Sequence, residues 1–487
     1  MLFPHNVGKG FWCGSVIGHT VDPLLRAEVD GRTPLHCATL HNHLEAAQLL
    51  LDKVRGDAVQ RQGAHDSGCL RMVCAEDESG VTPLELASSP EMAWLLLDHG
   101  AEIKVSTRTD MHGNSICWSA IHEACRTGFL SVLECLMEHP TAVAALARPL
   151  DRQSWKSPMH VAAEFGHADI VALLLKSPYA GPMLDSYDCW GWNPLHGAAS
   201  HNRDEAVRVL LSQGGMMPVE PTSKMEENCV PPRHTLPAGA NSMHLAAAFG
   251  GSKVVQLLAD MDPNLLRTKL ADGRLPVHLA LECQGEEETC LCLLQDIISP
   301  DSLLFPGDRR RTLLLSAARL GRLRIVELLL EKGSDPCWTD QQGCTPLWES
   351  VLSGEVVLVE YLRAHKLAAG DDLIDHSLQN PREDGKTLLH AAAQGGKSIM
   401  LCFLLDMGRF DINAQDVLGW SPLHEAAARG HLRAALTLLS QGADSSLRTV
   451  DGESYLDICD SHGHAALLPQ LEAHDPRHKT DSKCVVL

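Results

Sequence analysis

Cys484 is the residue of this sequence whose surroundings most clearly indicate a chemical reaction. Together with the three residues that follow, it reads Cys484-Val485-Val486-Leu487: cysteine, two aliphatic residues and a permitted final residue. This is the C-a-a-X signal for prenylation of the cysteine, and leucine in the final position favours a geranylgeranyl group. Because the signal acts only at a C-terminus, it also predicts that Leu487 ends the protein. The alternative is an unmodified tail whose last residues match the signal by chance.

A lipid on Cys484 would turn an otherwise soluble protein into a peripheral membrane protein. The signal implies a prenyltransferase as a partner, followed by removal of Val485 to Leu487 and methylation of the new carboxylate. Stable anchoring usually takes two signals, yet residues 474–483 carry only three Lys or Arg side chains and no second cysteine. We therefore expect reversible attachment to the cytoplasmic face of a membrane.

The many histidines and cysteines raise the question of a metal site, since the chain has 26 His and 17 Cys. No C-x-x-C or H-E-x-x-H spacing occurs, and eight of the histidines occupy one position of the repeat described below. Signatures of catalysis are missing as well, including G-x-S-x-G, the Walker A loop and the kinase motifs. The sequence therefore predicts no catalytic residue, no metal site and no bound cofactor.

Charge and composition disfavour several other classes of protein. The 487 residues carry 41 Lys and Arg against 62 Asp and Glu, a net charge of −21 that argues against nucleic acid as a partner. Aromatic residues make up only 4%, which fits stacked small helices better than one large core. No apolar run approaches the ~18 residues that a membrane-spanning helix needs, and the N-terminus does not resemble a secretory signal. The cysteines are therefore expected in a reducing compartment, the cytoplasm.

Most of the chain consists of one motif that returns at intervals of 33 residues or more. Thr33-Pro34-Leu35-His36-Cys37-Ala38 recurs closely at residues 157, 193 and 421, and weaker copies bring the total to twelve. A period of ~33 with the pattern T-P-L-H-x-A resembles the ankyrin repeat family, over roughly residues 22–474. The twelve copies start at Thr33, Thr82, Ser119, Ser157, Asn193, Asn241, Leu275, Thr312, Thr345, Thr387, Ser421 and Ser454.

The resemblance implies an all-α fold, an ankyrin-repeat solenoid of about twelve helix-turn-helix repeats joined by finger turns. The residue types agree with it, because Thr or Ser caps a helix well and proline fits its first turn. A second apolar helix follows, and an Asp-x-x-Gly turn leads to the next copy. In the family, the histidine of the motif bonds backbone groups and links neighbouring repeats. We expect an N-terminal extension at 1–21, one continuous array at 22–474 and a disordered tail at 475–487.

Three stretches are longer than the repeat allows, near residues 52–79, 212–239 and 366–383. By repeat phase each follows a second helix, so we expect them to lengthen the finger loops. Such loops are frequent places for function, although simple tolerance of insertions explains any one of them. The last copy, from Glu453 to about Asp475, is expected to be a polar cap.

Tryptophan is concentrated at positions that resemble the target-contacting positions of the family. Trp118, Trp192 and Trp420 directly precede the start of three copies, and Trp155 and Trp190 lie close by in their turns. Trp is the residue type most enriched in binding hot spots, so Trp192 and Trp420 should be partly exposed. The alternative is that the indoles fill gaps between adjacent fingers. Further candidates for the same surface, at the end of the first helix, are Phe165, His201, Phe249 and Arg429.

These observations predict a non-catalytic scaffold or adaptor that holds a protein partner on its concave face and is tethered to a membrane through Cys484. One alternative is a soluble cytosolic adaptor or substrate receptor without the lipid. Another is a regulatory array that belongs to a larger enzyme or channel, although the repeats take up nearly the whole chain.

Overall fold

The chain divides into two compact units, Met1–Ala271 with Glu282–Thr289 and Asp272–Leu281 with Cys290–Leu487. Among the residues that the structure describes, the secondary structure is 26 α-helices, three short 3-10 helices and one pair of strands. The computed structural model describes residues 30–60, 67–109, 115–142, 146, 156–188, 190–216, 239–249, 251–283, 286–295, 311–364, 372–379 and 382–475.

The helices as far as residue 261 are mostly short pairs, one pair for each copy of the motif. Two strands interrupt them, β1 (Ser106–Thr109) and β2 (Ser115–Trp118). The helices are α1 (Pro34–Leu40), α2 (Leu44–Gln60), α3 (Ser67–Val73), α4 (Pro90–Asp98), α5 (Ala120–Thr127), α6 (Leu130–Glu138), α7 (Pro158–Phe165), α8 (Ala168–Leu175), α9 (Ala180–Leu184), α10 (Pro194–Ser200), α11 (Asp204–Ser212), α12 (Ser242–Phe249) and α13 (Ser252–Met261).

The pairs continue in the remainder of the chain. The helices there are α14 (Pro276–Glu282), α15 (Glu287–Gln295), α16 (Leu313–Arg319), α17 (Leu323–Glu331), α18 (Pro346–Ser353), α19 (Val356–Ala364), α20 (Leu373–Gln379), α21 (Leu388–Gln394), α22 (Ser398–Asp406), α23 (Pro422–Ala428), α24 (Leu432–Ser440), α25 (Tyr455–Ser461) and α26 (Leu468–His474). Short 3-10 helices at Pro83–Leu86, Pro263–Arg267 and Ala465–Leu467 complete the set among the described residues.

The predicted start of every copy is confirmed. Each of the twelve is followed at the next residue by a helix, which is an α-helix in eleven copies and the 3-10 helix Pro83–Leu86 in the second. At α7 the Ser157 hydroxyl accepts a hydrogen bond from the His160 backbone N–H, and proline holds the first position. The second copy departs because Pro90 begins the next helix so soon that the first helix has room for a single turn.

The core of each unit lies between stacked helices. In the first unit, α7 packs against the first helices of both neighbouring copies, α5 and α10. Met159 and Ala162 on α7 and Leu195 and Ala198 on α10 are completely buried at these contacts. Neither helix could bury such a face alone, so stacking of copies creates the core. The predicted all-α architecture of stacked helix pairs is confirmed within each unit.

The histidine of the motif joins neighbouring copies. The Nδ1 atom of His160 accepts from the Ser157 backbone N–H at 3.2 Å, and its Nε2 donates to the Trp192 carbonyl oxygen at 2.9 Å. His390 makes the equivalent bond to the Trp420 carbonyl oxygen, also at 2.9 Å. Burial lowers the pKa of His160 to about 4. The ring is therefore neutral near pH 7, and one nitrogen can accept while the other donates.

The three long stretches do not simply lengthen the finger loops. The first extends α2 as far as Gln60 and adds α3, and the third contains α20. Helical segments therefore replace the expected loops in these parts. Most of the middle stretch, residues 217–238, lies outside the described residues. Strands β1 and β2 form an antiparallel hairpin in the finger before α5, with Ser106 opposite Trp118.

A buried hydrogen-bond network closes the last copy. Asp475, which the sequence assigns to the disordered tail, is fully buried instead. Its carboxylate accepts from the Tyr455 hydroxyl at 2.9 Å and from the Ser445 hydroxyl at 2.7 Å. Asp475 therefore belongs to the final repeat, because these bonds satisfy a charge that burial would otherwise make costly. Residues 476–487 lie outside the described residues.

Candidate functional site

The finger turn that carries Trp190 and Trp192 is held by the carboxylate of Asp188. Its Oδ1 atom accepts hydrogen bonds from the backbone N–H groups of both tryptophans, each at 2.9 Å. Gly191 has a positive φ of 74°, which reverses the chain between them. Burial raises the pKa of Asp188 to about 6, although the charge of Lys156 opposes this shift. The Asp-x-x-Gly pattern thus presents two indoles from a well-defined turn.

An equivalent turn presents Trp420 in the second unit. The Oδ1 atom of Asp416 accepts from the backbone N–H groups of Leu418 and Trp420 at 2.9 and 2.8 Å. Gly419 has a φ of 74°, and a Cβ there would come within 2.9 Å of the backbone nitrogen of Val450. The turn therefore requires glycine at this position, and it fixes the direction in which Trp420 leaves the backbone.

Three rings, Trp190, Trp192 and Phe249, form the first aromatic cluster. Trp190 and Trp192 pack edge to face with centroids 5.6 Å apart, and Trp192 packs in the same way on Phe249 at 6.2 Å. Trp192 is only 8% exposed, whereas Trp190 and Phe249 are partly exposed. The Lys156 ammonium group lies 4.6 Å from the Trp190 centroid, within cation–π range. The cluster therefore presents Trp190 and Phe249 to solvent around a buried Trp192.

Charged side chains surround the first aromatic cluster. Glu164 forms an ion pair with Lys156, and His201 Nε2 lies 3.6 Å from Glu164 Oε1. Burial alone would raise the pKa of Glu164, but the charges of Lys156 and His201 outweigh burial, and the pKa lies below its ordinary value. Glu164 thus stays ionised and holds Lys156 beside the Trp190 ring. Phe165, the next residue along the chain, is partly exposed at the end of α7.

The second aromatic cluster consists of Trp420 and His462, whose rings meet edge to face with centroids 6.1 Å apart. Trp420 is partly exposed, and His462 is exposed. Lys386 reaches from the preceding copy to the buried carboxylate of Glu425, with which it forms an ion pair. Arg429 is exposed directly after α23. The second cluster thus combines an accessible indole with an accessible cation nearby in sequence.

Two of the predicted contact residues are buried. Trp118 is 9% exposed, and its Nε1 atom donates to Glu123 Oε2 at 2.9 Å. Trp192 is buried to the same degree, so its predicted partial exposure is wrong. For these two residues the alternative of packing within and between fingers describes the structure better, because other side chains of the repeat cover the indoles. Trp155 lies outside the described residues.

Sequence reasoning missed three exposed aliphatic residues at the tips of the last fingers. Val417, Leu418 and Val450 are each more than half exposed. The Val450 backbone N–H donates to the Leu418 carbonyl oxygen at 2.9 Å, so the two fingertips lie side by side. The signal was available in the sequence, because Val417 and Leu418 fill the variable positions of an Asp-x-x-Gly turn that elsewhere holds Gln341 and Gln342.

Asp340, Cys344 and Glu349 form the one group of three possible metal ligands within the described ranges, with ligand atoms within 4.8 Å of one another. These residues do not fit a metal ion. Burial raises the pKa of Cys344 to about 11, and a thiol must lose its proton to bind a metal. The Arg382 guanidinium also donates to Cys344 Sγ at 2.8 Å, so a cation already occupies that side of the sulfur.

The predicted lipidation site, Cys484, lies outside the described residues together with the rest of its motif. In the part of the chain that the structure describes, every helix is too short or too polar to span a bilayer.

Comparison with protein families gives matches in both units. The profile described as "Ankyrin repeats (3 copies)" matches residues 13–107, 121–222 and 364–449, which together are more than half of the chain. A second profile, described as "Ankyrin repeat", matches residues 309–341.

Similar proteins with curated names share parts of this chain. The palmitoyltransferase AKR1 of Lachancea kluyveri is 36% identical over 152 residues, which are 31% of this chain and 20% of that protein. The probable 26S proteasome regulatory subunit p28 of Saccharomyces cerevisiae is 30% identical over 209 residues, 42% of this chain and 86% of that protein. Ankyrin repeat protein nuc-2 of Neurospora crassa is 27% identical over 281 residues, 56% of this chain and 22% of that protein. The chain thus spans about a fifth of the first and third proteins and most of the second.

Proposed function

Because the chain belongs to the ankyrin repeat family, we propose that it is a non-catalytic scaffold that binds a protein partner on its concave face and finger turns. The observation that carries this proposal is the presentation of Trp190 and Trp420 on turns that buried aspartates hold in place. A side chain that is already ordered loses little entropy on binding, and Trp is the commonest hot-spot residue. Phe165, Phe249 and Arg429 extend the same surfaces.

The buried indoles take a supporting role in this proposal. Trp192 is the platform on which Trp190 and Phe249 pack, and Trp118 fixes the position of Glu123. Replacing a supporting indole would disturb both stability and binding, whereas replacing an exposed one would disturb binding alone. This difference separates the two roles by experiment.

The test begins with partners captured from cells by cross-linking to the wild-type chain. A purified partner is then titrated against a Trp420→Ala/Leu418→Ala variant, a Trp190→Ala variant and Val357→Ala, a control on the second helix α19 whose side chain is 61% exposed. We expect at least one Trp variant to bind at least tenfold more weakly at an unchanged melting temperature. Wild-type affinity in both Trp variants would contradict the proposal.

We further propose that Cys484 is geranylgeranylated and that the lipid tethers the scaffold to the cytoplasmic face of a membrane. The match of Cys484 to Leu487 with the C-a-a-X pattern supports this part. A single lipid gives weak, reversible attachment, and the net charge of −21 adds repulsion from anionic headgroups. The bound protein partner would then supply the second anchoring contact.

The lipid is tested on protein made in a eukaryotic host. The intact mass should show a C20 isoprenoid on Cys484, loss of the last three residues and a methyl ester, which also requires that Leu487 end the chain. Membrane attachment should vanish in Cys484→Ser, and Leu487→Ser should redirect the tail toward a farnesyl group. An unmodified mass in cells with active prenylation would contradict the lipid and favour a cytosolic adaptor.

That second candidate, a cytosolic adaptor or receptor within a larger complex, is favoured by one comparison. The similarity to the proteasome regulatory subunit p28 covers 86% of that protein, whereas the similarity to the palmitoyltransferase covers only 20% of that protein. Gel filtration of lysate from cells that express Cys484→Ser distinguishes the candidates. An adaptor would elute in the same large complex as the wild-type chain, whereas a membrane-tethered scaffold would be enriched in the soluble lysate only as Cys484→Ser.

A further inference from the structure

The outer surface of α4 carries an apolar patch that the fold does not cover. The inner face of this helix, with Met92, Ala93, Leu96 and Leu97, is buried against the other helices of its unit. Trp94, on the outer face, is nevertheless apolar and 45% exposed. The outer face has four residues at positions i, i+3, i+4 and i+7, which share one side of a helix: Glu91, Trp94, Leu95 and Asp98.

Trp94 stands at a position that is polar in five other copies and is Ala172, Cys402 or Leu436 in three more. It directly follows a buried pair, Met92 and Ala93, on the second helix of its repeat. Within the described residues, no hydrogen bond, ion pair or ring contact of the Trp94 indole occurs. The residue after the corresponding buried pair in five other second helices is Glu134, Arg208, Gln256, Glu327 or Glu360.

Trp94 forms one wall of a groove of about 390 Å³ between α2 and α4. Leu44 and Gln48 of α2 form the opposite wall, and Leu44 is 37% exposed. The groove is shallow and open to solvent, and three apolar and three polar side chains line it. It therefore suits one edge of a helix that carries both apolar and charged residues.

Negative charge marks both ends of the groove. Glu91 and Asp98 are seven residues apart on α4, which places them ~10.5 Å apart along the helix axis. Neither forms an ion pair with another described residue. Both side chains are exposed, so a cation that approaches the groove finds them available. Charge complementarity therefore calls for a partner with a cation at each end of an apolar segment.

We propose that the groove between α2 and α4 binds an amphipathic helix of a partner protein. The helix carries Lys or Arg at positions i and i+7 and large apolar residues at i+3 and i+4, which mirrors the pattern on α4. The apolar pair packs on Trp94 and Leu44, and the cations pair with Glu91 and Asp98. This surface lies on second helices and is distinct from the finger turns, so it does not depend on the scaffold proposal above.

Two other occupants agree less well with the observations. A second copy of the chain would bring another net charge of −21 to an acidic groove. Residues 1–29 of the chain itself contain only two Lys or Arg residues, Lys9 and Arg26, which are seventeen positions apart. Neither supplies the spaced pair of cations that Glu91 and Asp98 require.

The proposal is tested with the full chain and a fluorescent, terminally blocked helical peptide that has Lys at i and i+7 and Leu at i+3 and i+4. Anisotropy titration should show binding that weakens as salt rises. A peptide with Glu in place of both Lys residues should bind at least tenfold more weakly. In the protein, Trp94→Glu should lose at least tenfold in affinity. The fold should tolerate this change because Glu occupies the equivalent position at 134, 327 and 360.

Matched variants show whether the peptide binds at this groove or elsewhere on the chain. Glu91→Gln/Asp98→Asn should reduce the affinity and remove most of its salt dependence, whereas Ile399→Glu, at a side chain 77% exposed on α22, should leave binding unchanged. Equal binding of the two peptides, or unchanged affinity in Trp94→Glu with a native melting temperature, would overturn the proposal. So would a gain in affinity on removal of residues 1–29, or self-association that Trp94→Glu abolishes, because either would identify another occupant.

Discussion

Replacing Lys386 by methionine is expected to destabilise the second unit by about 3 kcal/mol. The reason is that Lys386 forms an ion pair with Glu425, whose side chain is only 4% exposed, while the Lys386 side chain is 24% exposed. Methionine keeps the apolar stem of lysine but removes the charge, which leaves a buried carboxylate without its cation. Removing one side of a buried pair costs ~3–5 kcal/mol, and the lower value applies because Lys386 retains some contact with water.

Differential scanning calorimetry measures this effect directly. In a unit of about 200 residues, 1 kcal/mol shifts the melting temperature by ~2–4 °C. The expected decrease for Lys386→Met is therefore about 6–12 °C in the transition of the second unit. The matched control is Lys104→Met, whose ammonium lies 3.6 Å from Glu76 but whose side chain is 67% exposed. An exposed pair contributes ~0–1 kcal/mol, so the control should change little.

A double variant then separates the pair from the methionine itself. Lys386→Met/Glu425→Met should recover most of the lost stability, because an apolar pair of similar volume replaces a buried ion pair at little cost. The reasoning is refuted if Lys386→Met shifts the melting temperature no more than Lys104→Met does. It is also refuted if the double variant is no more stable than the single one, since the buried carboxylate would then not be the cause.

Three further changes follow from the contacts of the second unit. Burial lowers the pKa of His424 to about 4 from 6.5, so the contribution of its neutral ring to stability is present above pH 6.5 and is lost as the pH falls toward 4. The free energies of unfolding in urea at pH 7.5 and at pH 5 should therefore differ less for His424→Asn than for wild type. Tyr455→Phe should cost about 1–3 kcal/mol because it removes one donor from the buried Asp475 carboxylate, and an unchanged urea midpoint would contradict that role. Gly396→Ala should cost about 1–3 kcal/mol, because Gly396 has a φ of 66° and a Cβ there would lie 2.7 Å from the His431 ring. A melting temperature equal to that of wild type would show that the His431 ring moves aside at little cost.

The positions of the helices could be predicted because local residues decide them. A capping side chain such as Ser157, a proline after it and a histidine three residues later specify a helix start within one short segment. All three residues occur together in the copies that start at Thr33, Ser157, Asn193 and Ser421, and the other eight copies keep one or two of them. The spacing of the copies then locates these weaker starts. The second copy shows the limit of the rule, because Pro90 in the next segment shortened the first helix to a 3-10 turn. Information from outside the motif was needed there.

The exposure of the tryptophans could not be predicted, because contacts between distant residues decide it. Trp192 and Trp420 hold the same position before a first helix, and each lies in a turn with the same aspartate bonds. Phe249, more than fifty residues later, packs on Trp192, whereas Trp420 meets only the edge of His462 among the described rings. Nothing in the local pattern of either turn carries that difference. The burial of Asp475 is a similar case. Its charge predicts a solvated tail, and only the hydrogen bond from Tyr455, twenty residues earlier, accounts for its burial.

Both aromatic clusters combine side chains from two neighbouring copies. Lys156 precedes one first helix and lies over Trp190 in the next finger, and Lys386 precedes another and reaches Glu425 in the copy that carries Trp420. In both cases a cation from one copy reaches the copy that carries the indole, although only Lys156 lies over the indole ring itself, so each cluster is built from two copies. A partner that binds the proposed surface would therefore contact side chains of two repeats at once. Its affinity should respond to the packing of those repeats as much as to the tryptophans themselves.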